Sequence, residues 1–189
     1  MPNEFQYTEL STRSTIRLIK IQKQKVNDTI VCVLRHAEQT DIEYYALSYV
    51  WGDATPTREI LVETEDAPAG ESFIFPLHEN LWRFLDWAWH QGKFDRWFWT
   101  DRICLNQRDN EEKAHQIPQM GEIFQNAMQV ISWLNESQKV GQILEHVHKL
   151  IPHNESHWSL RNATRSVMSN EYWKRIWIVQ EVVRAKQVI

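Results

Sequence analysis

From residue 44 onward the sequence switches repeatedly between short apolar runs and longer amphipathic runs, and this alternation constrains the fold most strongly. The apolar runs are YYALSYVW at 44–51, WFW at 97–99 and MQVISW at 128–133. Short runs that are apolar without polar alternation are typical of strands buried on both faces. Because such strands alternate with helices in a parallel sheet, the sequence predicts an α/β fold.

The intervening runs have the period of a helix. Leu81, Phe84, Leu85 and Ala88 recur at the spacing of one helix face, which predicts an amphipathic helix from about residue 80. EEKAHQIPQMGEIFQNA at 111–127 predicts a second helix, whose acidic start suits the helix dipole. WKRIWIVQEVV at 173–183 predicts a third helix over about 172–186, and QVI at 187–189 begins a further strand.

The remaining segments define the organisation of the chain. TIRLIKIQ at 15–22 and TIVCVLRH at 29–36 alternate apolar and polar residues, which predicts an N-terminal β-hairpin. EILVE at 59–63 and SFIFPL at 72–77 predict two more strands, whereas the polar stretch 136–170 predicts an insertion or a mobile segment. We therefore predict one domain over residues 1–189, with 1–40 as an N-terminal strand lead-in.

Composition and charge exclude several classes of protein. The net charge is −4 without a basic stripe, which argues against sequence-independent nucleic-acid binding. No apolar stretch approaches the roughly 20 residues of a membrane helix, and the N-terminus MPNEFQYTEL lacks the pattern of a signal peptide. Two cysteines form neither a disulfide framework nor a zinc site, so we expect a soluble protein in the cytoplasm.

Two predicted strands end in turn or charged residues. In parallel sheets, ligands bind beyond the carboxyl ends of the strands, where the strand order reverses. One strand ends in Trp51-Gly52-Asp53 and another in Thr100-Asp101-Arg102. Asp53 has two interpretations, as a turn residue after Gly52 or as part of a site. Asp101 is either a ligand contact or one member of a structural ion pair.

Glu181 stands within an aromatic and aliphatic run of the last predicted helix. Trp177, Ile178, Glu181, Val182 and Ala185 fall on one broad stripe of that helix. The stripe should face the sheet, so the acid points inward or toward the sheet edge. An acid in apolar surroundings indicates a functional site, and an acid at the boundary of a helix face is the alternative.

The sequence lacks the most common catalytic and metal-binding signatures. It contains no P-loop, no GxGxxG, no GxSxG and no HExxH motif. The best interpretation of Cys104 is a small buried thiol on a strand rather than a nucleophile. In HVHKLIPHNESH at 146–157 the first two histidines are two residues apart and lie on different sides of a helix, so we predict no metal site.

Several blocks of the sequence, in one order, resemble the fungal heterokaryon-incompatibility (HET) domain. They are YYALSYVWGD, ENLWRFL, the long block WTDRICLNQRDNEEKAHQIPQMGEIFQNAMQVISWL, and YWKRIWIVQEVVRAK, and they run from Tyr44 to Lys186. The HET domain is in turn similar, more distantly, to Toll/interleukin receptor (TIR) domains. ALSYVWGD resembles the first-strand box of TIR domains, and RIWIVQEVVRA resembles their helix that carries a Trp and then a Glu. The resemblance implies a flavodoxin-like, mostly parallel sheet flanked by helices, with extra N-terminal antiparallel strands.

The resemblance also implies a function. Many TIR domains cleave NAD at the nicotinamide–ribose bond, and the Glu of that helix is their catalytic acid. The matching residue here is Glu181, with Trp177 beside it, and Tyr49, Trp51, Gly52, Asp53 and Asp101 would border the nucleotide. This chain would then be a cell-death effector in fungal non-self recognition that acts as an assembly, with NAD or a related nucleotide as substrate and no bound cofactor. The alternatives are a non-catalytic self-association module and a nucleotide sensor without turnover.

Overall fold

A computed structural model describes residues 3–53, 55–68, 70–134, 171–175 and 178–189. Within these ranges strands dominate the first half of the chain, and helices follow from residue 79. The strands are β1 (Thr15–Ile21), β2 (Val31–Glu38), β3 (Tyr45–Tyr49), β4 (Arg58–Thr64), β5 (Phe73–Leu77), β6 (Trp97–Trp99) and β7 (Gln129–Trp133). The helices are α1 (Glu79–His90), α2 (Asp101–Cys104), α3 (Asn110–Asn126), a 3₁₀ helix (Glu171–Lys174) and α4 (Ile178–Val183).

The seven strands form one sheet in the order β5-β4-β2-β1-β6-β3-β7. β2 pairs with β4 in parallel, and β3 pairs in parallel with both β6 and β7. The pairings β1–β2, β1–β6 and β4–β5 are antiparallel. The prediction of an α/β fold is confirmed, but the prediction of a mostly parallel sheet is wrong, since the sheet is mixed. The reason is that the N-terminal strands pair within the sheet and β1 lies at its centre.

The predicted N-terminal hairpin is confirmed as β1 and β2. Their register runs from Thr15 opposite Glu38 to Ile21 opposite Cys32. Asn27 and Asp28, in the connection, have positive φ angles of 48° and 63°, a conformation that these two residue types tolerate better than most. The hairpin therefore forms locally and joins the parallel strands through the pairing of β1 with β6.

The parallel part of the sheet has a reversal of strand order. The chain passes from β3 to β6 on one side and then returns to β7 on the other side of β3. Beyond β7, the Val130 N–H donates to Gln187 O at 2.8 Å and the Ile189 N–H donates to Val130 O at 2.9 Å, so the predicted last strand begins here. Such a reversal opens a crevice at the carboxyl ends of the strands, which is where ligands bind in α/β sheets.

Helices α1 and α3 cover opposite faces of the sheet. Phe84 of α1 packs edge-to-face on Phe98, and Phe124 of α3 packs edge-to-face on Trp99. Because Phe98 and Trp99 are neighbours in β6, their side chains point to opposite faces. Tyr44 strengthens the α3 face by donating a hydrogen bond to Ile123 O at 2.6 Å. The periodicity that predicted both helices reflects this burial.

The last predicted helix is shorter than expected. The sequence predicted one helix over about 172–186, whereas the structure has a 3₁₀ helix ending at Lys174 and a separate helix, α4, from Ile178 to Val183. Arg175 lies between them. The predicted insertion at 136–170 and its histidines lie outside the described residues. No helix in the described ranges combines the length and apolar content needed to cross a membrane.

Candidate functional site

The candidate site lies at the carboxyl ends of the parallel strands β3, β6 and β7. Tyr49, Thr100 and Trp133 mark these three ends, and the first two are almost completely buried. The side chain of Asn80 ties two of them together, since it donates to Val50 O at 2.6 Å and accepts from Trp133 Nε1 at 3.1 Å. The N-terminal turn of α1 therefore fixes the chain where it leaves β3.

Glu181 belongs to α4, and its side chain lies at this end of the sheet. It is 1% exposed. Arg175 Nη2 donates to its Oε1 at 2.9 Å and Arg175 Nη1 donates to its Oε2 at 3.0 Å. The Ser48 hydroxyl also donates to Oε2. A buried carboxylate needs such partners, because an unpaired charge in the interior is very costly.

A row of hydroxyl groups lies behind Glu181. Ser48 and Ser132 face each other in the register of β3 and β7. The Tyr172 hydroxyl lies 2.6 Å from Ser48 Oγ and donates to Ser132 Oγ at 2.8 Å. Burial raises the pKa of Tyr172, so the phenol stays protonated and keeps its donor. The row connects the 3₁₀ helix, through Tyr172, to both strands at the point where the strand order reverses.

Asp101 and Trp51 form the second polar contact of the site. Trp51 Nε1 donates to Asp101 Oδ2 at 2.9 Å. Burial raises the pKa of Asp101 to about 6; the Trp51 hydrogen bond and the Arg175 charge oppose this rise, while the Glu181 charge adds to it. Asp101 therefore lies within electrostatic range of the Arg175–Glu181 pair. Trp51 and Asp101, which the strand ends predicted, therefore lie in the same region as Glu181, which the helix pattern predicted.

Three buried polar atoms near Asp101 have no hydrogen-bond partner in the described ranges: Tyr49 Oη, Thr100 Oγ1 and Asp101 Oδ1. The Tyr49 hydroxyl is next to the Thr100 and Asp101 side chains. Burial and the Asp101 charge hold the pKa of Tyr49 well above its usual range. Tyr49 is thus a neutral phenol in the wall of the site.

The other residues that were predicted to contact the substrate do not all lie beside Asp101 and Glu181. Gly52 and Asp53 line a cavity of about 240 Å³ with Asn80 and Arg83, whose lining includes Trp51 but neither Asp101 nor Glu181. Trp51 therefore lines this cavity and also contacts the buried Asp101, and its ring stacks on His78 at 5.6 Å. Trp177 lies outside the described residues.

The sequence did not indicate Ser48, Ser132, Tyr172 or Arg175. Ser48 and Ser132 had a usable signal, since each is a polar residue within an apolar strand, and buried hydroxyls need partners. Arg175 had none. On one continuous helix, residues 175 and 181 would lie about 120° apart around the axis, at 100° per residue. The end of the 3₁₀ helix before Arg175 allows the pair to form.

Metal and thiol chemistry find little support in the described part of the chain. No group of three or more His, Cys, Asp or Glu side chains there is arranged to hold a metal ion. Cys104 is buried at the end of α2, rather than on a strand, and burial raises its pKa to about 12. Its thiol is therefore protonated and inert, in agreement with its interpretation as a packing residue.

Comparison with known proteins gives the class of the chain. A family model described as heterokaryon incompatibility protein (HET) matches residues 44–181, so the chain belongs to the HET family. The matched region begins at the residue before β3 and ends at Glu181. The predicted HET resemblance is thereby confirmed, whereas the TIR resemblance stays a prediction. No solved structure gives a significant match.

A relative with a known name supports the same family. The chain is 35% identical over 177 residues to heterokaryon incompatibility protein 6, OR allele, of Neurospora crassa. The match covers 82% of this chain and 26% of that protein. The chain thus spans about a quarter of the length of this relative.

Proposed function

We propose that this chain acts in fungal non-self recognition, as a HET domain that triggers incompatibility. The support is the family match over residues 44–181 and the relative from Neurospora, which carries heterokaryon incompatibility in its name. The relative is far longer than this chain, so the activity of a whole protein of that kind is part of the proposal.

We further propose that the chain cleaves the bond between nicotinamide and ribose in NAD, with Glu181 as the catalytic residue. One observation carries this proposal: Glu181 is a buried carboxylate at the reversal of strand order, near enough for its charge to raise the pKa of Asp101, which accepts a hydrogen bond from Trp51. The order of β6, β3, β7 and the pairing beyond β7 corresponds to the beginning of a flavodoxin-like sheet, whose ligand lies at this reversal. That order supports the TIR resemblance.

The reaction requires only a few groups from the protein. The C–N glycosidic bond breaks with its electron pair passing to the positively charged nicotinamide ring, which leaves as a neutral molecule. The ribose carbon becomes cationic, as in glycoside hydrolysis, and water adds to it with loss of a proton. Glu181 would accept hydrogen bonds from ribose hydroxyls and offset the developing positive charge. Trp51 offers an aromatic face for the nicotinamide ring.

The test is NAD turnover by the purified chain, with nicotinamide and ADP-ribose resolved by chromatography. Glu181→Gln keeps the size of the side chain and removes its charge, so we expect at least a hundredfold loss of turnover per folded molecule, with the folded fraction measured by circular dichroism. Glu111→Gln is the matched control, because Glu111 is exposed in the first turn of α3. Equal turnover by Glu181→Gln and the wild type would show that another residue performs the reaction.

A second function, a non-catalytic self-association module, is favoured by the way Glu181 is paired. Its two oxygens already have donors from Arg175 and Ser48, as in a purely structural ion pair. Light scattering combined with the NAD assay across protein concentrations separates the two functions. An assembly that forms without NAD turnover would identify the module. NAD that raises the melting temperature without product would instead identify a sensor.

A further inference from the structure

The carboxylate of Glu181 is closed off in the conformation described above. Arg175 contacts both of its oxygens, Ser48 contacts one of them, and the residue is 1% exposed. Oε1 accepts only from Arg175 and keeps a lone pair, but a ribose hydroxyl can donate to it only if it can reach this buried carboxylate. Substrate therefore reaches Glu181 only after one of the two partners has withdrawn.

Arg175 is the partner that can withdraw. Ser48 lies within β3, which pairs with strands on both sides, and its side chain is buried in the sheet. Arg175 belongs to neither the 3₁₀ helix nor α4, and its side chain is 19% exposed, compared with 2% for that of Glu181. The guanidinium thus forms the solvent side of the pair.

We propose that Arg175 is a gate that covers Glu181 and that the diphosphate of the substrate draws it away. This inference rests on the proposed role of Glu181 in NAD cleavage. A guanidinium binds phosphate with the same two-pronged geometry with which it binds a carboxylate, so a diphosphate competes directly for Arg175. Ribose hydroxyls then replace Arg175 as donors to Glu181, which leaves no buried charge without a partner.

The gate makes the diphosphate a condition for catalysis. Without an anionic ligand, withdrawal of Arg175 would strand a buried carboxylate, so the closed state dominates. A compound with the same scissile bond but no phosphate gives Arg175 no alternative partner. Arg175 thereby determines specificity as well as access.

Closure is tested by carboxyl labelling with a carbodiimide and glycine ethyl ester, followed by peptide mass spectrometry. In the wild type we expect Glu181 to be labelled at least tenfold more slowly than the exposed Glu71. Arg175→Ala should raise labelling of Glu181 at least fivefold, and Arg175→Lys, which loses the two-pronged contact, should give an intermediate rate. Equal rates for Glu181 and Glu71 in the wild type, or no increase in Arg175→Ala, would overturn the gate.

Two controls keep this test interpretable. Glu112 pairs with the buried Arg17 at 2.6 Å, so it stays protected in every variant that remains folded. Lys186→Gln removes one exposed positive charge from the same terminal segment and should leave the labelling of Glu181 unchanged. If Arg175→Ala loses protection at Glu112, the wild type and Arg175→Lys decide the question.

The role of the diphosphate is tested by calorimetric titration with ADP-ribose, which carries both the diphosphate that competes for Arg175 and the ribose hydroxyls that replace it at Glu181. We expect the wild type and Lys186→Gln to bind it equally, and Arg175→Ala to bind at least tenfold more weakly. Absence of binding to the wild type, or equal affinity in Arg175→Ala, would overturn release by the diphosphate. Neither measurement needs turnover, so a chain that is inactive toward NAD would refute the proposed reaction and leave both tests of the gate decisive.

Discussion

Glu181 accepts a hydrogen bond from the Ser48 hydroxyl although 133 residues separate them in the sequence. Ser48 lies in β3 and Glu181 lies in α4, so this contact joins the first and the last parts of the HET-matched region. Arg175 completes the arrangement by contacting both carboxylate oxygens.

The Arg175–Glu181 pair should show strong energetic coupling. We expect Arg175→Met and Glu181→Gln each to lower the free energy of unfolding by about 3–5 kcal/mol, because each leaves a partner unpaired in a buried site. The double variant should cost at least about 2 kcal/mol less than the sum of the two. Urea unfolding of all four proteins gives the coupling.

A matched control for this cycle is the Arg58–Glu79 pair. Its N–O distance is 2.7 Å, but its side chains are 46% and 37% exposed. The same substitutions there should give a much smaller coupling, because solvent screens an exposed pair. Equal coupling in the two pairs would show that burial does not strengthen the pair at Glu181.

Tyr172→Phe should destabilise the fold by removing the hydroxyl between Ser48 and Ser132. Both serine hydroxyls then lose a neighbour in a buried setting, and we expect a loss of about 1–2 kcal/mol in the free energy of unfolding. Tyr45→Phe is the control, since Tyr45 is only partly buried and should change stability by less than about 0.5 kcal/mol. Similar losses in the two variants would contradict a role for the hydroxyl row.

Local patterns predicted the helices and strands well, because an element that buries one face repeats its apolar residues at a regular spacing. The apolar run at 44–51 became β3, and the spacing of Leu81, Phe84 and Leu85 became the buried face of α1. The position of β1 between β2 and β6 had no comparable signal, because pairing of distant strands depends on tertiary packing. The prediction of a mostly parallel sheet was wrong for this reason.

The sequence also predicted part of the site. Strand ends pointed to Asp101 and Trp51, and helix periodicity pointed to Glu181; the structure brings these residues into one region. The pairing of Arg175 with Glu181 depends on where the preceding helical turn ends, and residue spacing does not reveal that position. The charges of a site are thus easier to predict than the partners that cover them.

Stability should depend on the protonation of Asp101. Because the pKa in the folded chain is about 6 rather than 3.8, the folded state holds this proton more tightly than the unfolded state. The resulting stabilisation is complete below about pH 4 and is lost as the pH rises through 6, with an upper bound of about 3 kcal/mol. The unfolding free energy of the wild type, taken relative to that of Asp101→Asn, should therefore decrease as the pH rises from 4 to 7.

The control for Asp101 is the same substitution at an exposed position. Asp53→Asn is the matched substitution, because it removes an exposed carboxylate instead of a buried one. A constant difference between the wild type and Asp101→Asn over pH 4–7 would show that Asp101 titrates alike in the folded and unfolded chains.

Gly52 should resist substitution because of its backbone conformation and not because of crowding. Its φ angle is +81°, and a Cβ built at this position meets no heavy atom within 4 Å. Gly52→Ala should therefore cost about 1–2 kcal/mol of unfolding free energy from the left-handed conformation alone. Gly52→Asn should cost less, since asparagine tolerates this conformation better than other residues with a Cβ. Thermal and urea unfolding would measure both variants, and an asparagine variant less stable than the alanine variant would indicate a steric cause instead.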